Sequence, residues 1–290
     1  LNYINHLTVV RRSFLMDKIA VFGAAVDGAQ DYTAVLEMGF SARRVGHVPL
    51  ILYHWRMREG SVAVNSSQKP WIRAAFVENQ KRFITSLSKD IAVLNENLRP
   101  KITPANQVQI LKIQVNREGF QCGQENYSIP DLLELLNLHS DSLVLFVLAF
   151  QPEPPSTAEM CGYALLPCIG GVWPFSKAGL KTAYTVRNGT LSPLKHTKNS
   201  FSRMTGNIIT GPTHGLIIQA QRLHEIIIFL QAQQIQWSLW DLQNFWGPIV
   251  GLGALQLGMR NVSVSNCRFD YSPPELLDPE IPFVPGFDPY

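Results

Sequence analysis

The sequence predicts a layered α/β protein, and three observations carry that prediction. Short segments rich in β-branched residues alternate with helix-length amphipathic stretches in both halves of the chain. Of the 290 residues, 46% are hydrophobic and 16% charged, the balance of a packed globular chain with room for one large domain or two ordinary ones. A pattern near the N-terminus also returns late in the chain. His6-Leu-Thr-Val-Val10 with Leu15 and Asp17 aligns without gaps on His214-Gly-Leu-Ile-Ile218 with Leu223 and Glu225. Met38 to Val45 resembles Leu257 to Val262 once a few residues are skipped, which suggests an ancient duplication.

Leu7–Val10 and Val45–Tyr53 read as strands, being β-branched runs bounded by turn formers. Between them Ser13–Val21 and Asp31–Met38 read as helices, with Gly39 where a left-handed C-cap would sit. Pro70–Leu94 opens on a proline and spaces Ile72, Ala75, Phe76, Phe83, Leu87 and Ile91 along one face, the pattern of a long helix. Asn95–Asn106, with Pro100 and Pro104, reads as a linker and sets a boundary near residue 101, giving domains 1–100 and 101–290. Val108–Val115 is then a strand and Leu132–Leu138 a short helix. Leu143–Phe150 is an unbroken apolar run, which suits a central strand covered on both faces and stopped by Gln151-Pro-Glu-Pro-Pro155. After a Gly/Pro-rich passage, Gly215–Ala220 reads as a strand and Leu223–Ala232 as an apolar helix. The proline-rich tail from Ser272 to Tyr290 predicts no regular structure.

Charge and cysteine usage exclude several classes. The net charge of +3 comes without any Lys/Arg run longer than two, so no basic block points to nucleic acid. Cys122, Cys161, Cys168 and Cys267 form no CxxC pair and have no His partner at zinc spacing, which favours a reducing, cytoplasmic setting. No apolar run approaches the roughly 18 residues of a spanning helix. Leu1–Val10 lacks the layout of a signal peptide, which leaves peripheral contact with the inner face of a membrane as the membrane role to consider. GxSxG, GxxxxGK[ST] and GxGxxG are all missing, so serine hydrolases, P-loop NTPases and Rossmann dehydrogenases find no support. His196, His214 and His224 are scattered without ligand spacing. Trp237, Trp240, Phe245 and Trp246 form an aromatic cluster that serves either as core or as a sugar-stacking platform, with core the commoner use.

Asp27, Gln30 and Asp31 stand just ahead of a predicted helix, where a carboxylate either caps free N–H groups or faces a cleft. His54, between Tyr53 and Trp55, reads on its own as a packed strand-end histidine. A wider pattern alters both readings. Asn5-His-Leu-Thr-Val-Val-Arg-Arg12, Gly28-Ala-Gln-Asp-Tyr32, His47-Val-Pro-Leu-Ile-Leu-Tyr-His-Trp-Arg56, Gly60-Ser-Val-Ala63 and Lys69-Pro70 together resemble, in order and separation, the C-terminal half of family 2 glycosyltransferases of bacterial surface-polysaccharide synthesis. The resemblance covers about residues 1–90.

It implies the nucleotide-sugar-binding GT-A fold, a layered α/β/α arrangement, and transfer of a sugar with inversion from a nucleotide-sugar donor to a glycan or lipid-linked glycan acceptor. By the same resemblance Asp31 is the general base and Gln30 flanks it at the substrate. The physical need is plain: the acceptor hydroxyl must lose its proton as it attacks C1 of the donor, and a carboxylate in hydrogen-bond reach accepts it. His54 and Arg56 are implied beside the donor diphosphate, with His54 able to ligate Mn²⁺ or Mg²⁺ and Arg56 offsetting leaving-group charge. Ser61 is implied as a further phosphate contact. The resemblance further implies a donor-binding half with an Asp-x-Asp metal motif, and that half would precede Leu1.

Residues 106–272 resemble the same family more distantly, through Val108–Val115, Asp141–Leu148, Gly171-Val-Trp-Pro174, Arg187-Asn-Gly-Thr-Leu191 and Gly211–Ile218. Where the acid motif should follow Leu148 the chain reads Ala149-Phe-Gln-Pro-Glu153, a weak substitute for the paired carboxylates that Mg²⁺ or Mn²⁺ prefers. Phe245-Trp-Gly-Pro-Ile249 stands where an Asp31-like residue belongs, and Cys267-Arg-Phe-Asp-Tyr271 replaces Tyr53-His-Trp-Arg56. The second half therefore reads as a degenerate, catalytically silent GT-A-like unit. Two alternatives stay open: a non-catalytic module that docks an enzyme or holds polysaccharide, and a composite sheet in which 106–150 completes 1–90 with Glu153 as the nearest acid.

Overall fold

A computed structural model describes residues 8–16, 29–42, 46, 70–96, 99–116, 119–148, 158–175, 184–187, 190–193, 206–208, 211, 213–233, 239–268 and 281–282. The chain divides into two compact units, residues 1–89 with 93–101 and residues 90–92 with 102–290.

In the first unit three helices are described: α1 (Arg12–Met16), α2 (Gln30–Ser41) and α3 (Pro70–Leu87). α2 is apolar on two sides. Ala34 and Met38 pack with Val10, Phe14 and Leu15. Tyr32 meets Phe76 edge-to-face at 4.8 Å and Phe40 meets Phe83 at 5.7 Å, which ties α2 to α3.

Several sequence expectations change here. Thr8–Val10 carry no strand pairing, and the expected strand 45–53 lies outside the described residues apart from Gly46, which is in no regular element. Of the helix expected over 13–21, residues 17–21 likewise lie outside them. Gly39 is not a C-cap, because α2 continues to Ser41 and ends at Ala42, whose backbone is extended at φ −72 and ψ 131. The helix expected over 70–94 stops at Leu87. Beyond a turn at Lys89-Asp90 the chain forms β1 (Ile91–Glu96), which pairs with β2 (Arg99–Pro104) in a two-stranded sheet. Ala105 N–H donates to the Asp90 carbonyl at 2.8 Å and closes its base. Of the stretch expected as a linker, Asn95 and Glu96 end β1 and Arg99–Pro104 form β2; Pro100 and Pro104 fit because a two-stranded sheet leaves each strand an unpaired edge where a missing N–H costs no ladder bond.

The second unit is a mixed α/β fold. β3 (Ile110–Asn116), β4 (Gly119–Cys122) and β5 (Glu125–Tyr127) form a meander, followed by α4 (Ile129–Leu138) and β6 (Leu143–Leu148). The chain then builds α5 (Ala158–Ala164), β7 (Ile169–Phe175), the hairpin β8 (Tyr184–Arg187) and β9 (Thr190–Pro193), and β10 (Gly206–Ile208). β11 (Ile217–Gln219), α6 (Ala220–Ala232), α7 (Leu239–Gln256), β12 (Arg260–Arg268) and β13 (Ile281–Pro282) complete it. β13 adds to the β8–β9 hairpin as a three-stranded sheet.

Among the described residues the main sheet has eight strands, in the order β10-β12-β7-β11-β6-β3-β4-β5. β6 is parallel to β3, β12 is parallel to β7, and the short β11 runs antiparallel between β6 and β7. Alternation along the strands assigns the two faces. Leu111, Ile113 and Val115 of β3, Val144 and Phe146 of β6, Trp173 of β7 and Ile218 of β11 share one core with α4, α6 and α7. Leu145, Val172 and Ile217 are buried on the opposite side, where α5 packs on β7, β11 and β12. Burial on both faces explains the unbroken apolar run of β6. Gly162 of α5 lies so close to β2 that a Cβ there would stand 2.3 Å from the Ile102 carbonyl oxygen. Among the described residues no helix is long and apolar enough to cross a membrane.

Candidate functional site

The N-terminus of α2 carries the two predicted site residues that lie within the described structure. Ala29 is the N-cap, at φ −136 and ψ 23, and offers no side-chain cap. Gln30 and Asp31 therefore occupy the first helical turn, and of the two readings of Asp31 the N-cap is set aside, since Ala29 holds that position. Asp31 is exposed and Gln30 partly so, while the next two residues turn inward. Tyr32 is buried against Phe76, and burial pushes its phenol above the ordinary value of 10.0. Thr33 is buried and its Oγ1 donates to the Ala29 carbonyl at 3.0 Å. The side chain presented outward from this turn is thus the carboxylate, and the helix is held from behind by an aromatic contact.

His54, Arg56 and Ser61 lie outside the described residues, so the structure brings together Gln30 and Asp31 alone from the predicted set. Among the described residues no group of three or more His, Cys, Asp or Glu is placed to hold a metal ion.

In the second unit, the edge where β3 and β6 end is the place an open α/β sheet offers to ligands. The turn into β11 packs beside β6 near that edge. Gly215, at φ 83, turns the chain into β11, and its N–H donates to the Phe146 carbonyl at 2.8 Å. The preceding Thr213 and His214 are buried, and Thr213 Oγ1 accepts from the Gly247 N–H at 3.0 Å. Beside Gly247, Trp246 lies edge-on to Phe120 at 4.9 Å and to Phe146 at 5.9 Å, with 1% of its surface exposed. Gly171 and Gly211 make room for the Trp173 indole, since a Cβ on either would lie 2.5 or 2.6 Å from it. The segment standing where a counterpart of Asp31 would be expected is therefore packed core, and Trp246 is core rather than a sugar platform. Trp237 and the side chains of Trp240 and Phe245 lie outside what is described, as do Glu153 and residues 269–271.

Sequence reasoning missed two polar anchors, Asn261 and Arg222, and one buried polar side chain, Asn79. Asn261 is fully buried; its Oδ1 accepts from Gly171 N–H at 3.1 Å and its Nδ2 donates to the Gly251 carbonyl at 2.7 Å. Arg222 donates through Nη1 to the Ile169 carbonyl at 2.7 Å and through Nε to Gln219 Oε1 at 3.0 Å, clamping the start of β7 to the start of α6. Its burial lowers the guanidinium below its ordinary range, and burial raises the neighbouring Cys168 thiol. Asn79 is buried on α3. The signal available for all three is a polar residue breaking an apolar face, which a single sequence shows only weakly.

No protein-family model matches the chain, and no solved structure matches it significantly. A 77-residue stretch is 34% identical to the uncharacterized protein y4gI of Sinorhizobium fredii (strain NBRC 101917 / NGR234), covering 26% of this chain and 8% of that protein. The chain thus matches a small part of a much longer relative.

Proposed function

We propose that the chain is part of an inverting glycosyltransferase of family 2 type, acting in polysaccharide biosynthesis. Its first unit supplies the acceptor-side half of a GT-A domain, and its second is a silent GT-A-like unit. The observation that carries the reading is the placement of Asp31, exposed on the first turn of α2 while Tyr32 and Thr33 are buried behind it. In the reaction the acceptor oxygen attacks C1 of the donor sugar and the C1–oxygen bond to the diphosphate breaks. Asp31 takes the acceptor proton, and the nucleoside diphosphate leaves with the bonding pair. Gln30 lies against the substrate, and His54, Arg56 and Ser61 hold the diphosphate side, where Mn²⁺ or Mg²⁺ would supply charge neutralisation.

Support for a GT-A origin of the second unit comes from where its similar segments fall. Leu143–Leu148, Gly171–Pro174 and Gly211–Ile218 contribute to β6, β7 and the turn into β11, three neighbouring strands, and Arg187–Leu191 spans the β8–β9 hairpin. The burial of Trp246, Gly247 and Pro248 in α7 favours a second reading for that unit, a binding or scaffold role without chemistry.

Calorimetric titration of the chain with UDP, GDP and dTDP, each with Mn²⁺ and with EDTA, tests the proposal beside Asp31→Asn and His54→Ala. Weak binding is the expected result, because the reading assigns the donor half to a part outside these residues; metal-dependent binding that His54→Ala abolishes and Asp31→Asn keeps would mean that a working donor site survives in the chain. Absence of binding for all three nucleotides would mean that the donor site belongs to the other half of the domain or is not used, and would direct the search to glycan and protein partners.

A further inference from the structure

The face of the main sheet that looks away from α4, α6 and α7 changes character along the sheet. At β7, β11 and β12 it is packed under α5. At β3, β4 and β5 it carries Lys112, Gln114, Asn116, Gln121 and Asn126, of which Lys112 and Asn126 are exposed and the other three partly so. Strand register puts three of these side chains in one row. Gln114 of β3 stands opposite Gln121 of β4, and Gln121 stands opposite Asn126 of β5. The next residues along, Val115, Phe120 and Tyr127, pair in the same way and face the core.

Neighbouring strands lie about 4.8 Å apart, so the row presents a carboxamide at each such step out to the β5 edge. Asparagine is depleted in strands, which makes its place here unusual. Among the described residues the three amides do not bond one another. Gln121 Nε2 donates to the Gly123 carbonyl at 3.4 Å, and the Gln114 and Asn126 side chains keep their donors and acceptors for a ligand or solvent. Each amide offers two donors and an acceptor and carries no charge.

Such a row complements a neutral chain whose own donor and acceptor groups repeat at the same interval. An extended glycan does so, because it sets at least one hydroxyl per sugar along each edge and one pyranose is about as long as the strand spacing. An extended peptide repeats at about 3.4 Å per residue and falls out of step. We propose that the Gln114, Gln121 and Asn126 row binds an extended, neutral glycan chain. The proposal rests on the reading of the second unit as a binding module and names its ligand; it does not involve Asp31.

The test is ¹H–¹⁵N NMR of the side-chain amides of the full chain, with Gln114→Thr, Gln121→Thr and Asn126→Thr assigning the three signals. Cellohexaose should shift all three and bind at least about tenfold more tightly than glucose, which reaches one amide at a time. The triple threonine variant, whose residues suit a strand face, should keep its urea midpoint and lose at least about tenfold in affinity. Should the triple variant not fold, Gln121→Thr, at the centre of the row, is read in the same way. Shifts confined to other residues, or undiminished binding by the folded variant, overturn the row while leaving a binding role for the unit. Absence of any shift with cellohexaose removes both. Signals of the row that move on dilution without sugar would place a second copy of the chain on this face and overturn the glycan assignment.

Discussion

Asn261 of β12 reaches across to Gly171 of β7 and accepts its backbone N–H at 3.1 Å, while the same side chain donates to Gly251 of α7 at 2.7 Å. One buried amide thereby fixes two strands and the helix above them. Gly171 must be glycine for this to work, because the Trp173 indole fills the space a Cβ would take.

Asn261→Leu should destabilise the second unit by at least about 2 kcal/mol, since it leaves a buried N–H and a buried carbonyl without that partner. Urea unfolding followed by tryptophan fluorescence measures this. A change within experimental error would mean that water satisfies both groups.

Two glycine-to-alanine changes should act in opposite directions. Gly162→Ala places a methyl against the Ile102 carbonyl, a backbone atom that cannot rotate away, and should cost about 1–3 kcal/mol. Gly39→Ala meets nothing within 4 Å inside a helix. It should stabilise by roughly 0.5–1 kcal/mol through lower unfolded-state entropy. Destabilisation by Gly39→Ala would instead restore the C-cap reading of the sequence.

Trp246→Ala should cost about 3–5 kcal/mol, the range for deleting a large buried aromatic. Trp246→Phe should cost less, because edge contacts to Phe120 and Phe146 survive in part. Equal tolerance of both changes would contradict the packed state of the segment around residue 246.

The start of α4 should respond to acid. Ser128 Oγ accepts the Asp131 N–H, and the Asp131 carboxylate accepts from the Ser128 hydroxyl and backbone N–H, a reciprocal capping box. The Ser128 side-chain bond, then the backbone bond, holds Asp131 below its ordinary 3.8. A depressed folded pKa gives stability that is present above 3.8 and lost as pH falls through the lower folded value. The stability gap between wild type and Asp131→Asn should therefore be constant at neutral pH and close below 3.8 in acid unfolding curves. A gap independent of pH would show that the carboxylate makes no such bonds in solution.

The sequence by itself determined the elements whose local pattern agrees with their final environment. β6 is legible as an unbroken apolar run because the sheet covers both of its faces, and α6 and the body of α4 are legible from their apolar residues, whereas the Ser128–Asp131 capping box that starts α4 emerged only from the structure. The exposure of Asp31 and the burial of its neighbours match the amphipathic pattern of α2. What the sequence could not supply is pairing and contact. Pro100 and Pro104 read as a linker because propensity is local, whereas a strand partner is chosen across the chain. Gly39 read as a cap because glycine permits a left-handed backbone without requiring one. Only the tertiary structure decided that Asn261 and Arg222 are anchors and that Trp246 is core. A polar or aromatic side chain takes its role from the atoms it meets, and those atoms lie dozens of residues away for Asn261 and Arg222 with their partners Gly171 and Ile169.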